Sequence, residues 1–170
     1  MKVCFIGHKA IEKTQELISL LIETALSLIE KGAKTFLFGS KSEFDKLSWE
    51  IITEIKKEYP LIERVYVRSA FKNIDESYKK YLLEFYEKTY FPPKIEKAGK
   101  YSYVERNYEM IDNATYCVFY YNENYVAPLK RQPKNNMLLP TKQKSGTKIA
   151  YEYALKKKKQ IINVFNHVKG

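Results

Sequence analysis

Apolar and polar positions along this chain switch repeatedly between a strand-like and a helix-like period. Lys2 to Ile6 is a short apolar run that reads as a strand, ended at Gly7-His8-Lys9, where glycine tolerates a tight turn. Thr14 to Lys31 then repeats at helical spacing, with Glu16, Ser19, Glu23, Ser27 and Glu30 on a narrow polar stripe and leucine, isoleucine and alanine filling the remainder. Gly32 caps this helix, and Ala33 to Phe38 gives a second strand ending at Gly39-Ser40. Ser42-Glu43-Phe44-Asp45 has the spacing of a capping box and opens a helix to about Tyr59, before Pro60.

The same alternation continues. Ile62 to Arg68 reads as the third strand, and Asn73-Ile74-Asp75-Glu76 as the cap of a tyrosine-rich helix to about Lys88. Phe91-Pro92-Pro93 and the lysines up to Lys100 form an exposed, mobile loop by composition. Ser102-Tyr103-Val104-Glu105 predicts a further capped helix through Asp112, Thr115 to Tyr121 the fourth strand, and Gln160 to Phe165 the fifth, after a helix from Thr147 to about Lys158. Between them residues 122–144 form a long, basic, proline-containing stretch of the kind used as a lid or binding loop.

Strands separated by helices pair in parallel through right-handed crossovers, so the expected fold is α/β: a doubly wound, mainly parallel, five-stranded Rossmann-like sheet in the order 3-2-1-4-5. The chain of 170 residues suits one domain, 1–170, with no linker and no internal repeat. Ligands of such sheets sit beyond the carboxyl ends of the strands near the switch in strand order. The loops Gly7-His8-Lys9, Gly39-Ser40 and Ser145-Gly146-Thr147 are expected to converge there.

Composition narrows the classes. The N-terminal apolar block is too short for a signal peptide, and Leu17 to Ile29 is interrupted by Glu23, so neither secretion nor a membrane span is indicated and the cytoplasm is the expected location. Cys4 and Cys117 lie in separate apolar runs and read as reduced core thiols; no His/Cys cluster has metal-ligand spacing, so no metal and no required cofactor are expected. A formal charge of +10 favours anionic partners, whether nucleic acid or a small phosphorylated ligand, while Lys156 to Lys159 also suit a helix C-terminus. The wide apolar face of the first helix suggests either a homodimer or a deeply buried helix.

Ser145-Gly146-Thr147 is a candidate anion cradle: two hydroxyls and a glycine at a helix start leave amides open to a phosphate. The same tripeptide is equally an ordinary helix start with Ser145 as N-cap. Arg106 carries a guanidinium suited to bidentate oxyanion binding, or pairs with Glu105 or Glu109. His8 either bonds a ligand or is a loop histidine. Asp45 and Glu43 are candidate acids, and both also suit the positive end of a helix. Tyr101, Tyr103, Tyr108, Tyr120, Tyr121 and Tyr125 fall near this side and can stack on bases or pack.

Together, the Gly-His-Lys turn, Phe38-Gly39-Ser40 with Glu43-Phe44-Asp45, the run Glu105-Arg106-Asn107-Tyr108-Glu109-Met110-Ile111-Asp112 and Ser145-Gly146-Thr147 resemble the SLOG superfamily of Rossmann-like domains, in particular its small stand-alone bacterial members. That group includes the lonely-guy phosphoribohydrolases and the DNA-processing protein A fold. The resemblance spans nearly the whole chain. It implies a nucleotide or nucleotide-derived ligand, with phosphate at Ser145, Gly146 and Thr147 beside Arg106 and Asn107. Gly7, His8, Lys9, Gly39, Ser40 and Phe44 would line the base and ribose side. In lonely-guy enzymes the glycine-rich turn reads Pro-Gly-Gly-x-Gly-Thr-x-x-Glu; here that glutamate position falls at Ala150. Glu152, two residues on, is rotated about 200° away on the helix. Loss of that carboxylate harms glycosidic-bond cleavage more than binding. The expectation is therefore a nucleotide-binding sensor or carrier. The alternatives are a nucleoside monophosphate phosphoribohydrolase using Arg106 and Asp45, and a single-stranded nucleic-acid binder using the 122–144 stretch.

Overall fold

The computed structural model describes residues 1–39, 41–126 and 144–168. Ser40 and most of the basic 122–144 stretch therefore lie outside the described residues. Within them the chain forms strands β1 (Lys2–Gly7), β2 (Thr35–Phe38), β3 (Glu63–Val67), β4 (Lys88–Tyr90), β5 (Tyr116–Tyr120) and β6 (Gln160–Asn163). Helices α1 (Gln15–Glu30), α2 (Glu43–Ile55), α3 (Glu76–Phe85), α4 (Ser102–Asn113), α5 (Gly146–Lys156) and the short α6 (Val164–Val168) lie between and after them. All strand pairings are parallel, in the order β4-β3-β2-β1-β5-β6. The Rossmann-like sheet and its 3-2-1-4-5 core order are as the pattern predicts.

One strand is added. The tyrosine-rich helix stops at Phe85, and Lys88–Tyr90 leaves it to pair with β3, making six strands among the described residues rather than five. Three residues carry too little periodicity to announce a strand; tertiary pairing creates it, with Glu87 N–H donating to the Arg64 carbonyl at 2.9 Å. The segment after β4 is partly held rather than wholly exposed, because Ile95 of its first 3₁₀ turn is buried. Its second 3₁₀ turn, Gly99–Tyr101, runs directly into α4, so Tyr101 occupies the cap and Ser102 makes no capping bond. The other starts follow the sequence: Thr14, Ser42, Asp75 and Ser145 each accept an amide of their own first turn. β6 is shorter than Gln160 to Phe165 because α6 begins at Val164, directly after Asn163, which still pairs with Phe119. The Asn163 side chain accepts from Tyr121 N–H at 3.0 Å and donates to Tyr121 O at 2.9 Å.

Strand alternation sends side chains to two faces. Val3, Phe5, Phe36, Phe38, Val118 and Tyr120 pack with α1, α2 and α6 on one face. Cys4, Ile6, Leu37, Val65, Val67, Cys117 and Phe119 pack with α4 and α5 on the other. Both cysteines are free and buried, as expected. No described helix is long and apolar enough to cross a membrane.

Candidate functional site

The carboxyl ends of the strands bring most of the singled-out residues to one edge of the sheet, in three groups. In the middle, β2 ends at Gly39, and α4 lays Arg106 across it. A Cβ on Gly39 would stand 2.6 Å from Arg106 Cδ and 2.9 Å from Met110 Sδ, so only glycine lets the arginine pass. Arg106 Nη1 donates to the Gly39 carbonyl and lies 3.5 Å from Ser69 Oγ, and its Nε donates to Asn107 Oδ1 at 3.0 Å. From the α2 side, Asp45 Oδ1 stands 3.5 Å from the Gly39 amide. Burial pushes the guanidinium below its ordinary pKa, and the Asp45 carboxylate opposes that shift. Arg106, Asn107 and Asp45 are all buried. This arginine is a clamp on the β2 loop, not the exposed ion pair with Glu105 or Glu109 that spacing allowed.

The second group lies at the switch between β1 and β5. His8 is 1% exposed; its Nε2 lies 2.9 Å from Asn122 N–H and 3.2 Å from Asn122 O. We assign Nε2 as acceptor of the shorter bond, which puts the proton on Nδ1, a buried atom with no partner among the described residues. Tyr125 stacks on the ring at 3.8 Å between centroids. Burial lowers the His8 pKa to about 4, with the Asn122 backbone opposing, so the ring is neutral at physiological pH. The flanking Lys9 is exposed, its carbonyl accepting from Glu43 N–H at 2.9 Å, while Glu43 Oε2 accepts from Ile11 N–H at 2.9 Å. Glu43 thus ties α2 to the β1 loop. Gly7 and Phe44 form a packing pair: a Cβ at Gly7 would meet the Phe44 ring at 2.4 Å, and Phe44 is wholly buried.

The third group is the start of α5. Ser145 Oγ accepts from Lys148 N–H at 3.1 Å, and the amides of Gly146 and Thr147 donate to none of the described residues. No acid stands in the first turn of α5, whereas α1, α2, α3 and α4 each carry at least one. Tyr103, one turn before Arg106 on α4, covers Gly146: a Cβ there would lie 3.2 Å from its ring. Thr147 is buried. Ala150 packs in the α4–α5 core, and Glu152 is exposed and paired with Lys144 at 2.8 Å.

Two clefts open beside these groups. One of about 430 Å³ lies between α2 and α3, lined by Asp45, Trp49, Tyr66, Tyr81, Phe85 and Tyr86 among others. Burial raises the Tyr66 and Tyr86 pKa values, so both hydroxyls stay protonated. The other, of about 320 Å³, lies past the ends of β3 and β4 around Arg68. Sequence reasoning missed both. Arg68 was findable, as the last residue of the predicted third strand on the ligand-bearing edge. The aromatic cleft depends on Tyr86 turning back to stack on Tyr66, at 5.2 Å, which follows from the unannounced β4. No group of His, Cys, Asp and Glu among the described residues is placed to hold a metal ion.

No protein-family model matches the sequence, and no curated protein does. Among solved structures, the chain is similar to DNA processing protein A from Helicobacter pylori, a protein studied for its single-stranded DNA binding mode. The likeness has a TM-score of 0.52 at 18% identity and covers 95% of this chain but only 63% of that one. At this identity it shows a shared Rossmann-like fold.

Proposed function

We propose that the carboxyl edge of the sheet binds a nucleotide-type ligand, with a phosphate at the start of α5. The observation that carries this is the donor set there: the Gly146 and Thr147 amides meet no acceptor among the described residues, no acid stands in the first turn of the helix, and Lys148 does. The SLOG resemblance and the shared fold with DNA processing protein A support a nucleotide unit in particular. Arg106 contributes by fixing the β2 loop and the α4 face next to this turn rather than by reaching freely into solvent. Binding without turnover is favoured over hydrolysis, because Ala150 is core, Glu152 is engaged with Lys144, and Asp45 is buried against the Gly39 loop.

A second reading is that the nucleotide unit belongs to a single strand. The DNA processing protein A likeness favours it, as do the exposed Tyr101 and Tyr103, the latter against Gly146, which are available for stacking. A thermal-shift series with AMP, adenosine, ADP-ribose and a short oligonucleotide, with released base followed by chromatography, separates the readings. AMP stabilising the protein more than adenosine, and less so in Lys148→Glu, is the expected result. Equal stabilisation by adenosine and AMP overturns the phosphate site, and free base lost in Arg106→Ala would make the protein a hydrolase.

A further inference from the structure

At the opposite end of the same edge, past β3 and β4, a second group of donors has no assigned role. Arg68 is 9% exposed, yet no carboxylate among the described residues pairs with it. Its Nη1 donates to the carbonyls of Phe71 at 2.5 Å and Lys72 at 3.4 Å, while its Nε is buried without a partner among the described residues. The Thr89 hydroxyl, on β4, is likewise buried with no partner among the described residues, and both residues line the cleft of about 320 Å³ with Lys72, Asn73, Glu76 and Lys79. Three cations thus face one carboxylate, although Lys72 also pairs with Glu96 at 2.8 Å.

The start of α3 bounds the cleft on one side and brings both Glu76 and Lys79 to it. The loop that turns its carbonyls onto Arg68 does so through Phe71 at φ 58°, a left-handed conformation unfavourable for a side chain as large as phenylalanine, which is itself 72% exposed. A strained turn, a buried guanidinium and a buried hydroxyl that lack full partners among the described residues are each costly alone, and Arg68 and Thr89 border one cleft in which an oxyanion would offer them an acceptor.

We infer that the Arg68 cleft is an oxyanion site for a phosphate group, with Arg68 as its planar fork, Lys79 as its exposed counter-charge and Thr89 as a hydroxyl donor. The site is separate from the α5 start and does not rest on the reading given above for it. A phosphate suits the space better than a planar carboxylate because a tetrahedral group can reach donors just past β3, on β4 and on α3 at once, and its higher charge is met by three cations against Glu76.

The probe is inorganic phosphate, titrated at constant ionic strength against chloride, with the Arg68 Nε–H resonance followed by heteronuclear NMR. Phosphate should shift that resonance saturably, and Lys79→Ala, an exposed change that leaves packing intact, should weaken binding by about threefold. Arg68→Lys keeps the charge but loses the fork and should weaken it by about tenfold. Thr89→Val serves as the fold-preserving check if Arg68→Lys proves unstable, and should weaken binding severalfold. Lys148→Glu, at the α5 start, should leave the Arg68 shift unchanged. An Arg68 resonance indifferent to phosphate, or binding equally tight in wild type, Lys79→Ala and Thr89→Val, overturns the proposal.

Discussion

Gly7 is held by a neighbour rather than by its own backbone: the Phe44 ring occupies the volume where a side chain would begin, 2.4 Å from an added Cβ. Gly7→Ala should therefore destabilise the protein by about 1–3 kcal/mol through overpacking, and adding Phe44→Leu should recover part of the loss. Chemical denaturation midpoints of the single and double variants check this; additive losses would show that the contact is not the cause. His8 offers a second residue-level test. Its folded pKa, about 4, lies below the ordinary 6.5, so the unfolded chain binds the proton first as pH falls. The stability it contributes is complete above about pH 6.5 and is lost between 6.5 and about 4, at roughly 1 kcal/mol per unit. His8→Gln should flatten that part of the stability–pH curve relative to wild type, and a parallel curve would refute the assignment. Sequence marked Gly7, His8 and Gly39 as special because of their place after strands. Why each is special was not legible, since the Phe44 ring and the Arg106 arm arrive from other elements.

At the scale of elements, capping residues and apolar periods located the helices well, because those signals are local: a hydroxyl or carboxylate at the start and a polar stripe along one face. The added strand β4 shows where local signals end. It is secured by Glu87, which meets Arg64 on adjacent β3 through Nη2 at 2.7 Å and Nε at 3.2 Å, while the Arg64 backbone N–H donates to the same carboxylate at 2.6 Å. Burial alone would raise the Glu87 pKa, but the Arg64 bonds outweigh it and hold the carboxylate below its ordinary value. With a depressed folded pKa, the contribution is present at neutral pH and fades as acid protonates the group. Glu87→Gln keeps the shape and removes the charge, so a loss of about 1–3 kcal/mol at pH 7 that shrinks in acid is expected. Thermal melts at the two pH values measure it; an equal loss at both would mean that shape, not charge, joins β4 to the sheet. The α2–α3 aromatic cleft should deform with this edge, because Tyr86 immediately precedes Glu87.

For the whole molecule, the charge of +10 and the parallel sheet were readable from the sequence, but the way donors divide along the sheet edge was not. The α5 start belongs to the connection after β5 and the Arg68 cleft follows β3; β2 and β1 lie between those strands, which are three spacings of about 4.8 Å, about 14 Å, apart in the sheet. A mononucleotide with one phosphate can occupy only one of them, so Lys148→Glu and Lys79→Ala should not both weaken its binding. A single-stranded oligonucleotide long enough to bridge the edge should respond to both, with losses that multiply when the substitutions are combined. Ionic strength gives an independent reading of the same question. Binding through one phosphate should change little with salt, whereas a strand neutralised at several positions should lose affinity with a logarithmic slope of about −0.7 per phosphate. Titrating AMP and an oligonucleotide against both variants at two salt concentrations therefore decides between a nucleotide sensor and a strand-binding surface. A steep slope with sensitivity to both lysines assigns the edge to nucleic acid. A shallow slope for AMP, with only Lys148 mattering, assigns it to a free nucleotide and leaves the Arg68 cleft to a different phosphate.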